Sequence, residues 1–320
     1  MACRKFIDIG ANLTDPVFRG LYRGKQKHVD DMKDILKRSY EIGMSHIVVT
    51  GGSLKESKSA VELCSTEISD VKLSATVGCH PTRSSEMVTN GKVDDGYIEK
   101  LCHLIETNGK HVAAIGEFGL DYDRLHFADK ETQLIAFEAQ LDKVVGKFGK
   151  GCGEINPLPL FLHCRASGDD FILLITKYRN NFNNGVVHSF TGTWEECSSL
   201  LDLGMHIGIN GCSLKTEENL EVVKKIPLDR ILIETDCPYC EVRPSHASHK
   251  LLQQKSKRPQ CQAEKWKEGC LVKGRNEPST ITDVFEVLCA LRCDKDGVNP
   301  DELADIIYRN TRSVFPNLID

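Results

Sequence analysis

Two histidines and two carboxylates close four short apolar runs of this chain. Glu117 follows Val112–Ile115, His163 follows Leu160–Leu162, His188 follows Val186–Val187, and Asp236 follows Ile231–Thr235. Imidazole nitrogens and carboxylate oxygens are the donors of divalent-metal sites. A glutamate can bridge two cations, one on each oxygen, and an aspartate beside a cation can also accept a proton from a nucleophilic water. The expected chemistry is metal-activated hydrolysis. Glu117 and Asp236 are the catalytic candidates, and Glu117, His163, His188 and Asp236 the metal ligands. Glu234, two residues before Asp236, is given a supporting place at most.

Other residues extend this set. His80 ends the run Val77-Gly78-Cys79-His80 and is expected to face substrate or to back a ligand. Arg165, two residues after His163, suits a bidentate contact to a phosphate oxygen, with a salt bridge at the rim as the bland alternative. Cys237-Pro238-Tyr239-Cys240 has Cys-x-x-Cys spacing. No second pair at zinc-finger spacing accompanies it, so neither zinc nor redox work is expected there. His246 and His249 are read as surface residues.

Residues so far apart in sequence need a scaffold that gathers strand ends. Phe6–Gly10, His46–Thr50, Leu73–Val77, Val112–Ile115, Leu158–Leu162, Gly185–Val187, His206–Ile209 and Ile231–Thr235 read as buried strands, being short, apolar and bounded by Gly, Pro or Asn. Amphipathic stretches alternate with them, among them Val29–Ile42, Tyr97–Glu106 and Glu131–Val145. Eight such units predict an α/β fold, a (β/α)₈ barrel, whose strand ends meet at one mouth. No glycine-rich dinucleotide loop follows the first strand, which disfavours an open doubly wound sheet. The segment 237–278 breaks the rhythm. It is rich in Lys and Arg, from Lys250 to Arg275, and is expected to be a long basic loop at the mouth.

The chain has 320 residues, 40% of them hydrophobic, enough for one large barrel core. Its net charge of −5 means that any polyanion must be met by a local basic patch. No apolar run reaches the roughly 18 residues of a membrane span. The start, Met1-Ala2-Cys3-Arg4-Lys5, lacks a signal-peptide core. A nuclear or cytoplasmic, non-secreted protein is expected, with its 14 cysteines as thiols.

Asp8-Ile9-Gly10-Ala11-Asn12-Leu13-Thr14, Gly78-Cys79-His80-Pro81, Ile115-Gly116-Glu117-Phe118-Gly119-Leu120-Asp121, Leu162-His163-Cys164-Arg165, His188-Ser189-Phe190-Thr191-Gly192, Glu234-Thr235-Asp236-Cys237-Pro238-Tyr239 and Arg275-Asn276-Glu277-Pro278 occur in this order. Together they resemble the TatD family of metal-dependent deoxyribonucleases, and within it the eukaryotic TatD DNase domain-containing proteins. The resemblance implies an amidohydrolase-like TIM barrel over 1–320, one domain with DNA as its partner and phosphodiester hydrolysis as its reaction. Exonuclease and endonuclease action, including linearisation of circular DNA, both fall within it. Many relatives carry His-x-His where this chain has Gly10 and Asn12. That departure favours Mg²⁺ or Mn²⁺, two ions, over tightly held Zn²⁺. No membrane and no stable protein partner are expected. Two alternatives stand beside this reading: an amide or ester hydrolase such as an aminoacyl-tRNA deacylase, and a non-catalytic nucleic-acid-binding barrel.

Overall fold

The apolar runs become eight strands: β1 (Phe6–Ala11), β2 (Met44–Val49), β3 (Lys72–Val77), β4 (Val112–Asp121), β5 (Leu160–Arg165), β6 (Gly185–His188), β7 (His206–Ile209) and β8 (Ile231–Ile233). The structure is a computed structural model that describes residues 4–66, 69–253 and 259–318. The strands lie in one sheet in the order of the chain, the topology of a (β/α)₈ barrel. Helices separate them, among them α1 (Met32–Glu41), α2 (Leu54–Cys64), α3 (Asp95–Asn108), α4 (Lys130–Ala139), α5 (Gly168–Lys177), α6 (Trp194–Asp202) and α7 (Glu217–Lys225). Local sequence sets their starts. Ser53 caps α2 through the Glu56 N–H, and Thr193 with Glu196 forms a capping box on α6. Among the described residues no helix is long and apolar enough to cross a membrane.

The chain packs into two compact units. The first draws on Met1–Val49, Thr66–Leu73 and Ile209–Thr311, the second on Thr50–Ser65, Ser74–Gly208 and Arg312–Asp320. In the first, β1 pairs in parallel with β2, and the end of β1 meets the segment after β8. Asp236 N–H donates to the Gly10 carbonyl at 2.8 Å, and Asn12 N–H to the Cys237 carbonyl at 2.8 Å.

In the second unit β4 departs from expectation. It runs on past Ile115 to Asp121, with all ten residues buried. Gly116 pairs with Phe161 and Phe118 with Leu162, so Glu117 is the extra residue of a β-bulge. The glycines that look like strand breakers in sequence are what allow the strand to continue. A Cβ on Gly116 would lie 2.3 Å from the Phe161 carbonyl oxygen, and one on Gly119 1.9 Å from that of His163. Both have positive φ, +152° and +148°.

The described parts of the segment 237–278 are also more ordered than a featureless basic loop. They hold the short 3₁₀ turns Ala247–Leu251 and Ala263–Lys265 and a strand pair, Gln260–Cys261 with Leu271–Val272. Lys265, Lys267 and Lys273 are exposed, while Lys255, Lys257 and Arg258 lie outside the described residues. Arg275 does not belong with the exposed cations. It is buried and grips Asp31 in two bonds of 2.8 and 2.6 Å. His246, read as a surface residue, is buried as well.

Candidate metal centre

The bulge in β4 turns Glu117 toward the ends of β5 and β6. The Glu117 N–H, displaced from the strand ladder, donates to the Gly51 carbonyl at 2.9 Å. Its side-chain Oε1 meets three imidazoles: His163 Nδ1 at 2.8 Å, His188 Nε2 at 2.8 Å and His80 Nε2 at 3.3 Å. His163 Nδ1 and His188 Nε2 are themselves 3.2 Å apart. Strand pairing explains the approach of the two rings, because His188 is the register partner of His163. Phe161 packs against the His188 ring at 4.5 Å between centroids. Glu117, His163 and His188 are all buried.

The second ring nitrogen of His163 decides what this cluster can hold. Nε2 faces Asp121 Oδ2 at 3.1 Å, and Asp121 is fully buried. A carboxylate there fixes the ring proton on Nε2, as carboxylates behind metal-bound histidines do. Nδ1 of the neutral ring then aims a lone pair at the Glu117 oxygen, which is also an acceptor. A cation bound between them, or a proton on Nδ1, makes that contact favourable. Donor spacings of 2.8–3.3 Å match the roughly 2.9–3.4 Å between neighbouring ligands of an ion bound at about 2.0–2.1 Å. His80, Glu117 and His163 offer donor atoms mutually close enough to hold one ion. The residues present therefore fit a divalent cation.

The electrostatics agree. Burial alone would raise the Glu117 pKa, but His188, His80 and His163 hold it well below the usual carboxylate range. Burial lowers the His80 pKa, an effect Glu117 only partly opposes, and its Nδ1 accepts from the Thr82 N–H at 3.1 Å. At Asp121, burial is outweighed by the hydrogen bond with His163, and the pKa falls.

Of the residues singled out in the sequence, the structure brings Glu117, His163 and His188 together. His80 stands beside them, its Nε2 3.3 Å from the same Glu117 oxygen. Arg165 is a quarter exposed, with Nη1 3.7 Å from Asp121 Oδ2. Asp121 is the residue that sequence reading missed. It lies four residues after Glu117 in one strand, and the two-residue period of a strand was the available signal.

Asp236 stands in the first unit, on a turn with φ of +50°. Asn12 Nδ2 donates to its Oδ1 at 2.9 Å and to the Cys237 carbonyl at 3.1 Å. Both partners are acceptors, so the Asn12 amide points its NH₂ at them and orients Asp236. The Cys240 thiol donates to Asp236 Oδ2 at 3.1 Å. Asn276 brackets the turn from behind, donating to the Thr235 and Tyr239 carbonyls at 3.0 and 2.7 Å. Its neighbour Glu277 takes two bonds from buried Arg38, at 2.7 and 2.9 Å. Glu234 is fully buried and accepts from Asn210 at 3.3 Å. The Cys240 thiol is pushed well above its ordinary pKa by its contact with Cys212, by burial and by the charge of Asp236.

Fold and site together define a TIM-barrel metallohydrolase that uses divalent metal. The profile of the family described as TatD related DNase matches residues 7–316. The Deoxyribonuclease Tat-D of Schizosaccharomyces pombe is 42% identical over 311 residues, 96% of this chain and 94% of the relative. The 3'-5' ssDNA/RNA exonuclease TatD of a Rahnella species is 32% identical over 311 residues, 96% of this chain and 97% of the relative. The crystal structure of a hydrolase TatD family protein from Entamoeba histolytica matches with a TM-score of 0.86 at 37% identity, over 98% of this chain and 99% of that one. The chain belongs to the TatD-related DNase family.

Proposed function

We propose that this protein hydrolyses DNA phosphodiester bonds with two divalent cations, Mg²⁺ or Mn²⁺, acting from the 3′ end of single strands. The observation that carries the metal chemistry is the single Glu117 oxygen facing three imidazole nitrogens, with the far side of His163 committed to Asp121. The names of the Schizosaccharomyces and Rahnella relatives support DNA as substrate, and the latter supports end-directed cleavage. The single family span from 7 to 316 supports reading the whole chain as one TatD domain. Thirteen described cysteines, all in the thiol form, support a reducing nuclear or cytoplasmic setting.

In this reading Glu117, His163 and His188 hold the cations, and His80 and Arg165 bind phosphate oxygens. Bound cations would supply an activated water and charge stabilisation at the phosphoryl group. Asp236 belongs to the same reaction as a further ligand and as proton acceptor for the attacking water, an assignment that rests on the family resemblance. Asn12 holds its carboxylate at one fixed angle. Asp121 keeps the His163 proton away from the cation side.

Glu117→Ala tests the reading. With labelled single-stranded DNA and Mg²⁺ or Mn²⁺, cleavage should fall to the level of an EDTA control while circular dichroism and melting show a folded protein. Cleavage at the wild-type rate would remove Glu117 from the mechanism. Closed circular DNA, RNA and aminoacyl-tRNA in parallel reactions define the substrate. Linearised circles would add internal cleavage to the activity.

A further inference from the structure

The Cys-x-x-Cys spacing of Cys237 and Cys240 points to the wrong partner. Cys237 is fully buried, and its N–H rests on the Thr235 hydroxyl at 3.3 Å. Cys240 instead faces Cys212, which is 28 residues earlier in the chain, with the two sulfurs 2.9 Å apart. Both cysteines are half-buried thiols.

The local sequence builds this approach. Cys212 sits in the turn after β7, where the Asn210 side-chain carbonyl accepts from the N–H groups of Cys212 at 2.9 Å and Ser213 at 3.4 Å. Gly211 lets the other loop come close. A Cβ there would lie 2.1 Å from the Cys240 carbonyl oxygen and 2.8 Å from the carbonyl carbon of Glu241. Asn276 fixes the Cys240 loop through the Tyr239 carbonyl. Each thiol thus stands on a turn pinned by a buried amide.

The sulfur separation selects between two uses. Thiolates sharing a zinc ion bound at about 2.3 Å sit roughly 3.8 Å apart. A disulfide needs about 2.05 Å, so this pair is about 0.9 Å from bonding and already inside a metal chelate's spacing.

We infer that Cys212 and Cys240 form a modification site, an oxidisable thiol pair that closes to an intramolecular disulfide with a hydroperoxide as oxidant. One sulfur attacks the peroxide, the O–O bond breaks, and a sulfenic acid and one water form. The second sulfur then displaces that oxygen as another water. In total, two thiols and one hydrogen peroxide give one disulfide and two waters. The product has no S–H, so Asp236 Oδ2 loses the donor that Cys240 supplies in the reduced protein. That consequence for turnover rests on the proposed role of Asp236, whereas the disulfide itself does not.

The test uses the reduced full-length protein, treated with excess hydrogen peroxide because the protonated pair reacts slowly. Remaining thiols are then alkylated, and the tryptic peptides are mapped by mass spectrometry without reduction. The peptide carrying Cys212 should be joined to that carrying Cys240. The link should persist in Cys197→Ala and Cys237→Ala, which remove the other cysteine of each peptide. It should vanish in Cys212→Ser and in Cys240→Ser, with melting curves confirming folded protein. No link in the wild type, or a link that survives Cys240→Ser, overturns the site. Oxidised wild type should cleave DNA about fivefold more slowly, the size of one lost hydrogen bond, and recover with dithiothreitol. Cys212→Ser should be insensitive to oxidant. A mapped link with unchanged cleavage would overturn the coupling to Asp236. Absence of cleavage in every sample would count against the nuclease reading and leave the thiol result standing.

Discussion

Asp8 shows how a single buried carboxyl group writes itself into stability. Its Oδ1 accepts from the Gly10 and Thr235 N–H groups at 3.2 and 3.0 Å, and the Thr235 hydroxyl lies 2.5 Å from Oδ2. Burial nevertheless dominates these contacts and pushes the pKa up to about 8. The folded protein therefore keeps this proton to about pH 8, while the unfolded chain releases it near the ordinary value of about 3.9. Stability from the neutral group is complete below that lower value. It declines as pH rises, by about 1.4 kcal/mol per pH unit, and levels off above the folded pKa. Asp8→Asn carries no such proton, and its amide can still accept the two N–H groups and donate to the hydroxyl. Urea denaturation at pH 5 and pH 8 should show the variant gaining stability relative to wild type at the higher pH. Parallel pH slopes for the two proteins would show that Asp8 is ionised in the fold.

A strand's course can depend on one hydrogen atom. Gly119 sits where a methyl group would strike the His163 carbonyl 1.9 Å away, and β4 cannot retreat without giving up β5. Gly119→Ala should cost more than about 3 kcal/mol in urea unfolding and loosen metal binding by shifting His163. A loss under 1 kcal/mol would mean that β4 has room to move. The same strand marks the limit of sequence reading. Apolar runs bounded by turn residues located all eight strands, and His206–Ile209 was found to the residue. β4 was cut short because Gly116 and Gly119 carry the signature of a break, and with the cut went Asp121. Glu117, His163 and His188 were legible because each stands directly after an apolar run or one residue beyond it. The Cys212–Cys240 contact was not, since only tertiary structure brings the turn after β7 to the loop after β8. Arg275 looked like one more loop cation because its charge is visible in sequence and its burial against Asp31 is not.

At the scale of the whole molecule, a net charge of −5 works against a polyanionic substrate. Binding must come from a few placed cations. Arg165, partly exposed beside the centre, is the one assigned here to a phosphate. With the affinity for a short single strand measured against salt in a cleavage-blocked background, Arg165→Ala should flatten the log–log slope by about 0.7, the value of one phosphate contact. An unchanged slope would assign Arg165 to Asp121 alone. The bracketing of the Asp236 turn carries a further meaning for a protein emerging from the ribosome. Glu117, His163 and His188 are all synthesised long before Asn276, whose bonds to the Thr235 and Tyr239 carbonyls hold that turn. A nascent or prematurely ended chain therefore lacks a formed proton acceptor, and on the proposed mechanism the cutting activity is withheld until translation is nearly complete.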